Sequence, residues 1–109
     1  MRRAVKHVVT TALAESDLSA DDPRVRLLTL PRIGLSGLAE SFDEPVADLG
    51  LRHAEVLNLG RDTGHLGGGD SLANLADLHA GQRLAPGEVA LLLSVGGGFT
   101  WSCIAVQAE

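Results

Sequence analysis

Apolar positions in the first 15 residues recur with a helical period. Val5, Val8, Val9 and Leu13 stand at i, i+3, i+4 and i+8 within RAVKHVVTTALAE, so residues 3–15 read as one amphipathic helix. The turn-rich stretch SDLSADDP (16–23) ends it. Val25 to Leu30 (VRLLTL) has the β-branched and leucine content of a short strand, and Pro31, which has no N–H to give a ladder, stops it. Leu35 to Leu49 reads as a second helix, bent at Pro45 and closed by Gly50. Ala54 to Leu59 (AEVLNL) reads as a second strand, and Gly60 to Gly69 as a polar, glycine-rich loop. Asp70 or Ser71 caps a third helix running to about Ala80, with Leu72, Leu75, Ala76 and His79 on one face and Gly81 closing it. After a Pro86-Gly87 turn, Val89 to Val95 (VALLLSV) is almost continuously apolar, the pattern of a strand covered on both faces. Gly96 to Gly98 turns the chain, and Thr100 to Gln107 (TWSCIAVQ) returns as the other arm of a hairpin.

The order α-β-α-β-α-β-β predicts an α/β fold. Strands separated by helices join through right-handed crossovers into a mostly parallel sheet with helices on its faces, and the last hairpin adds one antiparallel strand. With 109 residues, 45% of them hydrophobic and 21% charged, the chain is one domain with a folded core. Phe42, Phe99 and Trp101 are its aromatics, so that core is aliphatic.

The net charge of −5 argues against a nucleic-acid partner, which needs basic surface to displace counterions. The balance is uneven. Residues 1–32 carry six basic side chains (Arg2, Arg3, Lys6, Arg24, Arg26, Arg32) against four acidic ones, whereas residues 33–109 carry three against ten. The basic third is open to an acidic partner or a phosphate. No apolar run approaches the roughly 20 residues that span a bilayer, and no secretory leader opens the sequence, so a cytoplasmic protein is expected. Cys103 stands alone, which excludes a disulfide framework and a cysteine zinc cluster; inside an apolar run it reads as a small core residue. His7, His53 and His79 have no ligand spacing to His65, so no metal is expected, and no cofactor is implied. The triple glycine at 67–69 opens a helix and is suited to a phosphate, but no lysine follows in the manner of a nucleotide-binding loop.

The last third carries a more specific pattern. From Gly64 to Gln107 the chain reads GHLGGGDSLANLADLHAGQRLAPGEVALLLSVGGGFTWSCIAVQ, with a glycine-rich loop opening a helix, a turn Gly81-Gln82-Arg83-Leu84-Ala85-Pro86-Gly87-Glu88, an apolar strand and a Gly96-Gly97-Gly98-Phe99-Thr100-Trp101 hairpin. This resembles the C-terminal end of 3-oxoacyl-ACP synthase III (ketosynthase III), of the thiolase-like superfamily. Residues 3–22 and Arg24 to Leu35 are similar to that family's preceding helix, turn and strand. The resemblance implies the C-terminal part of a thiolase-like half-domain over residues 1–109, without the N-terminal half that bears the family's cysteine nucleophile.

The family works with a Cys, a His and an Asn. Cys103 does not match the nucleophile, since it sits in the closing strand. Arg32 follows Pro31 where the family has its His, and His65 follows Gly64 where it has its Asn. Arg32 keeps its proton and cannot be a general base, whereas His65 can. Arg32 is left as a substrate-binding residue. In the family, a backbone N–H of the hairpin turn helps form the oxyanion hole, which by position is Gly97, flanked by Gly96 and Gly98. The string Gly64-His65-Leu66-Gly67-Gly68-Gly69-Asp70 also looks like variant ketosynthase III-like acyltransferases of natural-product pathways, some with Asp in place of Asn. Asp62 and Asp70 are the residues that would orient His65, and Asp70 is equally an ordinary helix cap.

Two functions follow from the resemblance. The first is an acyltransferase portion that meets acyl-CoA or acyl carrier protein, with Arg2, Arg3, Arg24 and Arg26 as further contacts, and needs a ketosynthase-like N-terminal chain. The second is an inert ketosynthase-like fragment that binds or scaffolds a partner. In the family a central strand precedes the first helix seen here, so the sheet is expected to have a gap beside Val89 to Val95. The gap would be filled by another chain, by strand exchange in a self-associated pair, or by a rearranged sheet.

Overall fold

The structure is a computed structural model that describes residues 2–31, 41–58, 70–96 and 100–109. In chain order the elements are α1 (Arg2–Glu15), β1 (Val25–Thr29), α2 (Asp43–Ala47), β2 (Glu55–Leu57), α3 (Asp70–Ala80), β3 (Val89–Gly96) and β4 (Thr100–Gln107). The predicted α/β order therefore holds. Of the stretch expected as one helix from Leu35 to Leu49, residues 35–40 lie outside the described residues and the rest contains the short α2, with Pro45 in its interior rather than at a break.

The sheet runs β2-β1-β3-β4. β1 pairs in parallel with β2 and with β3, and β3 pairs antiparallel with β4 from Val89↔Gln107 to Gly96↔Thr100. The expected gap is absent: β1 lies directly against β3, Leu28 beside Leu91 and Thr29 beside Leu92. Of the three ways to fill it, the rearranged sheet is the one seen. The cause lies in β3 itself, whose Ala90, Leu91 and Leu93 are fully buried and whose backbone groups need neighbours on both sides. The register slips between Val25 and Leu27. This irregularity puts Val25 on the same face as Leu28 and turns Leu27 to the other, while Arg26 stays exposed and reaches Glu88 at 3.6 Å.

Each face has its own core. On one, Val5, Val9 and Leu13 of α1 pack on Val25, Leu28, Leu30, Leu91 and Leu93, with Phe42 and Leu49 closing the end near α2. On the other, Leu78 of α3 packs on Leu27, Ala90 and Leu92. The amphipathic pattern of α1 is thus used as read. That of α3 is corrected: Leu75, Ala76 and His79 are exposed, and among its described side chains the buried ones are Asn74 and Leu78, one turn apart; Leu72's side chain lies outside those described. The helix ends are also informative. Gly81 was expected to close α3, but the left-handed residue is Gln82 (φ 49°), with the Arg83 N–H donating to the Leu78 carbonyl at 3.2 Å. Gly87 (φ 86°) makes the Pro86-Gly87 turn, closed by the Glu88 N–H on the Ala85 carbonyl at 3.0 Å.

Candidate active site

Because β1, β2 and β3 are parallel, their carboxyl ends share one edge of the sheet. Thr29 stands beside Leu57 and Leu92, so Leu30-Pro31 and Asn58 emerge there. Ligands of open α/β sheets bind outside the carboxyl ends of the strands. β3 continues for four residues past Leu92, from Leu93 to Gly96, which at about 3.3 Å per residue makes an overhang of roughly 13 Å. β4 follows it, and the pair is braced on both faces. Trp101 meets Phe42 edge-on, with centroids 6.1 Å apart and planes at 65°. On the opposite face the Ser94 and Ser102 hydroxyls share a hydrogen bond of 2.6 Å.

α3 is pinned to the same edge by a buried polar contact. Asn74 and Thr29 are both fully buried. The Asn74 Nδ2 donates to Thr29 Oγ1 at 3.3 Å and to the Leu30 carbonyl at 3.1 Å. Beside Leu30 the chain passes to Pro31, whose nitrogen carries no hydrogen, and the Leu30 N–H is already spent on the Leu57 carbonyl at 2.9 Å. Asn74 thus meets a polar need at the exact point where β1 ends, and holds the first turns of α3 over it. Sequence reasoning missed both Asn74 and Thr29; the available signal was a polar residue inside the apolar run Leu72-Ala73-Asn74-Leu75.

Of the residues singled out from the sequence, Asp70 is the first residue of α3 and Gly96 the last of β3, opposite Thr100. Arg32, Asp62, His65, Gly97 and Gly98 lie outside the described residues. Their neighbours in the chain, Pro31, Asn58, Asp70 and Gly96, flank them at the carboxyl ends of β1, β2 and β3 and at the start of α3.

The thiol of Cys103 is not suited to nucleophilic work. It is half-buried against the α1 core, and burial pushes its pKa up to about 12, so thiolate is negligible near neutrality. Three arginines of the basic third have acidic partners. Arg2 pairs with Asp48 and, at 3.5 Å, with Glu44; Arg24 with Asp22 at 2.8 Å; and Arg26 with Glu88. Hydrogen bonds from the Arg24 side chain and N–H hold the Asp22 carboxyl down to about 2. Arg2, Arg24 and Arg26 thus each have an acidic neighbour at the protein surface.

The family model of the 3-oxoacyl-[acyl-carrier-protein (ACP)] synthase III C terminal matches residues 38–108. The chain belongs to this family. The synthase III match takes in α2, β2, α3, β3 and β4 and leaves α1, β1 and the Pro31-Arg32 step outside it. No curated protein matches the chain. In this synthase III C-terminal domain one groove, of about 570 Å³, is not at the strand ends. It is lined by Leu75, Leu78, His79, Arg83, Leu84 and Val106, near the amino end of β3. A smaller hollow of about 290 Å³, between Leu30, Phe42, Val46 and Val56, does lie at the end of β1. Among the described residues no helix is long and apolar enough to cross a membrane.

Proposed function

We propose that this domain is the C-terminal portion of a ketosynthase III-like acyltransferase that handles acyl thioesters of coenzyme A or acyl carrier protein, in fatty-acid-type or natural-product biosynthesis. Its nucleophile is supplied by a separate ketosynthase-like chain. The observation that carries this reading is the meeting of three parallel strand ends with the start of α3, in a domain of the synthase III family.

In the proposed reaction the partner's cysteine thiol takes the acyl group from the thioester, and its proton goes to the departing carrier sulfur, which leaves as the thiol. An acceptor hydroxyl or amine then attacks the acyl carbonyl. His65 removes the acceptor's proton, oriented by Asp62 or Asp70, and the proton passes to the departing cysteine sulfur. The Gly97 N–H, with Gly96 and Gly98 leaving its approach open, donates to the oxyanion. Arg32 binds an anionic part of the substrate. Cys103 takes no part, in keeping with its raised pKa. The Arg at position 32, where the family has a histidine, favours a second reading: an inert module that docks on a ketosynthase-like partner.

The test is reconstitution. Acetyl-CoA and longer acyl-CoAs are mixed with this chain, with a chain carrying a ketosynthase III N-terminal half, and with both, while free thiol release is followed. The proposal predicts turnover in the mixture alone, and its loss in His65→Ala. Turnover by this chain unaided refutes it. A stable complex without turnover refutes it too and favours the inert module.

A further inference from the structure

The hollow of about 290 Å³ at the end of β1 lies beside the strand ends that the proposed reaction uses, yet no step of that reaction occupies it. Its walls are Leu30 just past β1, Phe42 just before α2, Val46 and Ala47 within α2, and Val56 of β2. Leu30 and Phe42 are buried and Val46 is half-buried. Val56 stands beside Leu28 in the sheet, yet Leu28 is fully buried whereas Val56 is 42% exposed. An apolar side chain is thus left open at the mouth of an apolar hollow. The polar lining among the described residues is Asp43, which shares the first turn of α2 with Glu44.

Phe42 ties this hollow to the glycine turn. Its ring meets Trp101 edge-on at 6.1 Å, and Trp101 stands opposite Val95, one residue from the Gly96↔Thr100 pair. One aromatic pair therefore separates the hollow from the end of β3, where the proposed reaction assigns the oxyanion to the Gly97 N–H.

Size and charge narrow the occupant. An apolar cavity of about 150 Å³ accepts a benzene ring. The hollow has roughly twice that room, enough for an apolar group of roughly eight to ten carbons. An acetyl group leaves it mostly empty. A chain ending in a carboxylate loses hydration there and faces Asp43.

We propose, resting on the acyl-transfer reading, that this hollow receives the tail of the acyl group, and that Val46 and Val56 select an uncharged aliphatic chain of roughly eight to ten carbons over acetyl. Binding is the readout, so that the pocket and the reaction fail separately. Acyl N-acetylcysteamine thioesters from acetyl to tetradecanoyl are titrated into the purified chain and followed by methyl NMR. The Val46 and Val56 methyls are expected to shift saturably. Affinity is expected to rise roughly two- to fourfold per added methylene and to level off at roughly ten carbons. Val46→Phe fills the hollow and should bring that level down to roughly six carbons. Val56→Asp places a charge at the mouth and should weaken octanoyl binding about tenfold, with an unchanged circular dichroism spectrum. The adipoyl thioester, as long as hexanoyl but ending in a carboxylate, should bind about tenfold more weakly than hexanoyl. Affinity independent of chain length overturns the proposal. So do shifts at Leu84 and Val106, in the groove near the amino end of β3, in place of Val46 and Val56. So does an octanoyl affinity untouched by both variants, or adipoyl binding equal to hexanoyl. Chain-selective binding here without turnover in the reconstituted mixture keeps the pocket and overturns the acyl-transfer reading. Turnover with equal preference for all chain lengths does the reverse.

Discussion

Replacing Asn74 by Ala removes the polar contact that ties α3 to the end of β1. The residue is fully buried, as is Thr29, so water does not take its place. The loss includes two hydrogen bonds, at 3.3 Å to Thr29 Oγ1 and 3.1 Å to the Leu30 carbonyl. A hydrogen bond contributes about 1 kcal/mol net, and a buried acceptor left without its donor costs about 1–3 kcal/mol. The Thr29 hydroxyl can turn to another partner, whereas the Leu30 carbonyl is fixed by the backbone. Asn74→Ala should therefore cost about 2–4 kcal/mol, a large part of the 5–15 kcal/mol typical of a domain. Thr29→Val removes only the longer bond and keeps the shape, so it should cost about 0.5–1.5 kcal/mol. The assay is urea unfolding followed by circular dichroism, on both single variants and the double. The double should cost less than the sum of the two singles, because they share one interaction. An Asn74→Ala penalty below about 0.5 kcal/mol, or full additivity, refutes the assignment of this contact as the tether.

Other consequences follow from the same structure. Cys103 should resist a disulfide reagent at pH 8 in the native protein and react at once in denaturant; equal rates in both would contradict its burial. Its native pKa is raised from 9.0 to about 12, so the unfolded chain ionises first, and stability should fall as pH rises from about 9 toward 12. Asp22 has the opposite sign: its native pKa is lowered to about 2, so its contribution is intact above about pH 4 and disappears on acidification toward 2. A carboxyl titration by NMR that places Asp22 near 4 would remove the Arg24 contact from the account. Leu91→Ala, at a fully buried site in the core under α1, should cost about 2–5 kcal/mol by denaturant melt. Gly87→Ala meets no atom within 4 Å, so its penalty of roughly 1–2 kcal/mol should be conformational, set by φ of 86°.

How far the fold was legible depended on how local its cause was. α1, β3 and β4 follow directly from periodicity, because Val5, Val9 and Leu13 and the run Val89 to Leu93 have no other way to be buried. α3 was read on the wrong face. Leucine spacing favoured Leu72, Leu75 and Ala76, but the helix turns Asn74 and Leu78 inward, since the end of β1 needs a hydrogen-bond donor and Leu27, Ala90 and Leu92 need a cover. Asparagine buried by a distant carbonyl leaves no periodic trace. The pairing of β1 with β3 was likewise hidden, because strand order is a long-range choice made by the most apolar strand. Of the candidate site, Gly96 and Asp70 lie at the ends of β3 and α3, where motif spacing puts them, while Arg32, Asp62, His65, Gly97 and Gly98 lie outside the described residues. Charge pairing was not legible, because sequence counts charge whereas the fold sets Arg2, Arg24 and Arg26 beside acids.

The central claim is that this domain contributes to acyl transfer without itself forming a bond to the acyl group. Intact-mass spectrometry after incubation with acetyl-CoA tests it most directly. The account predicts an unmodified chain of 11.3 kDa. A stoichiometric acetyl adduct on Cys103 would contradict it.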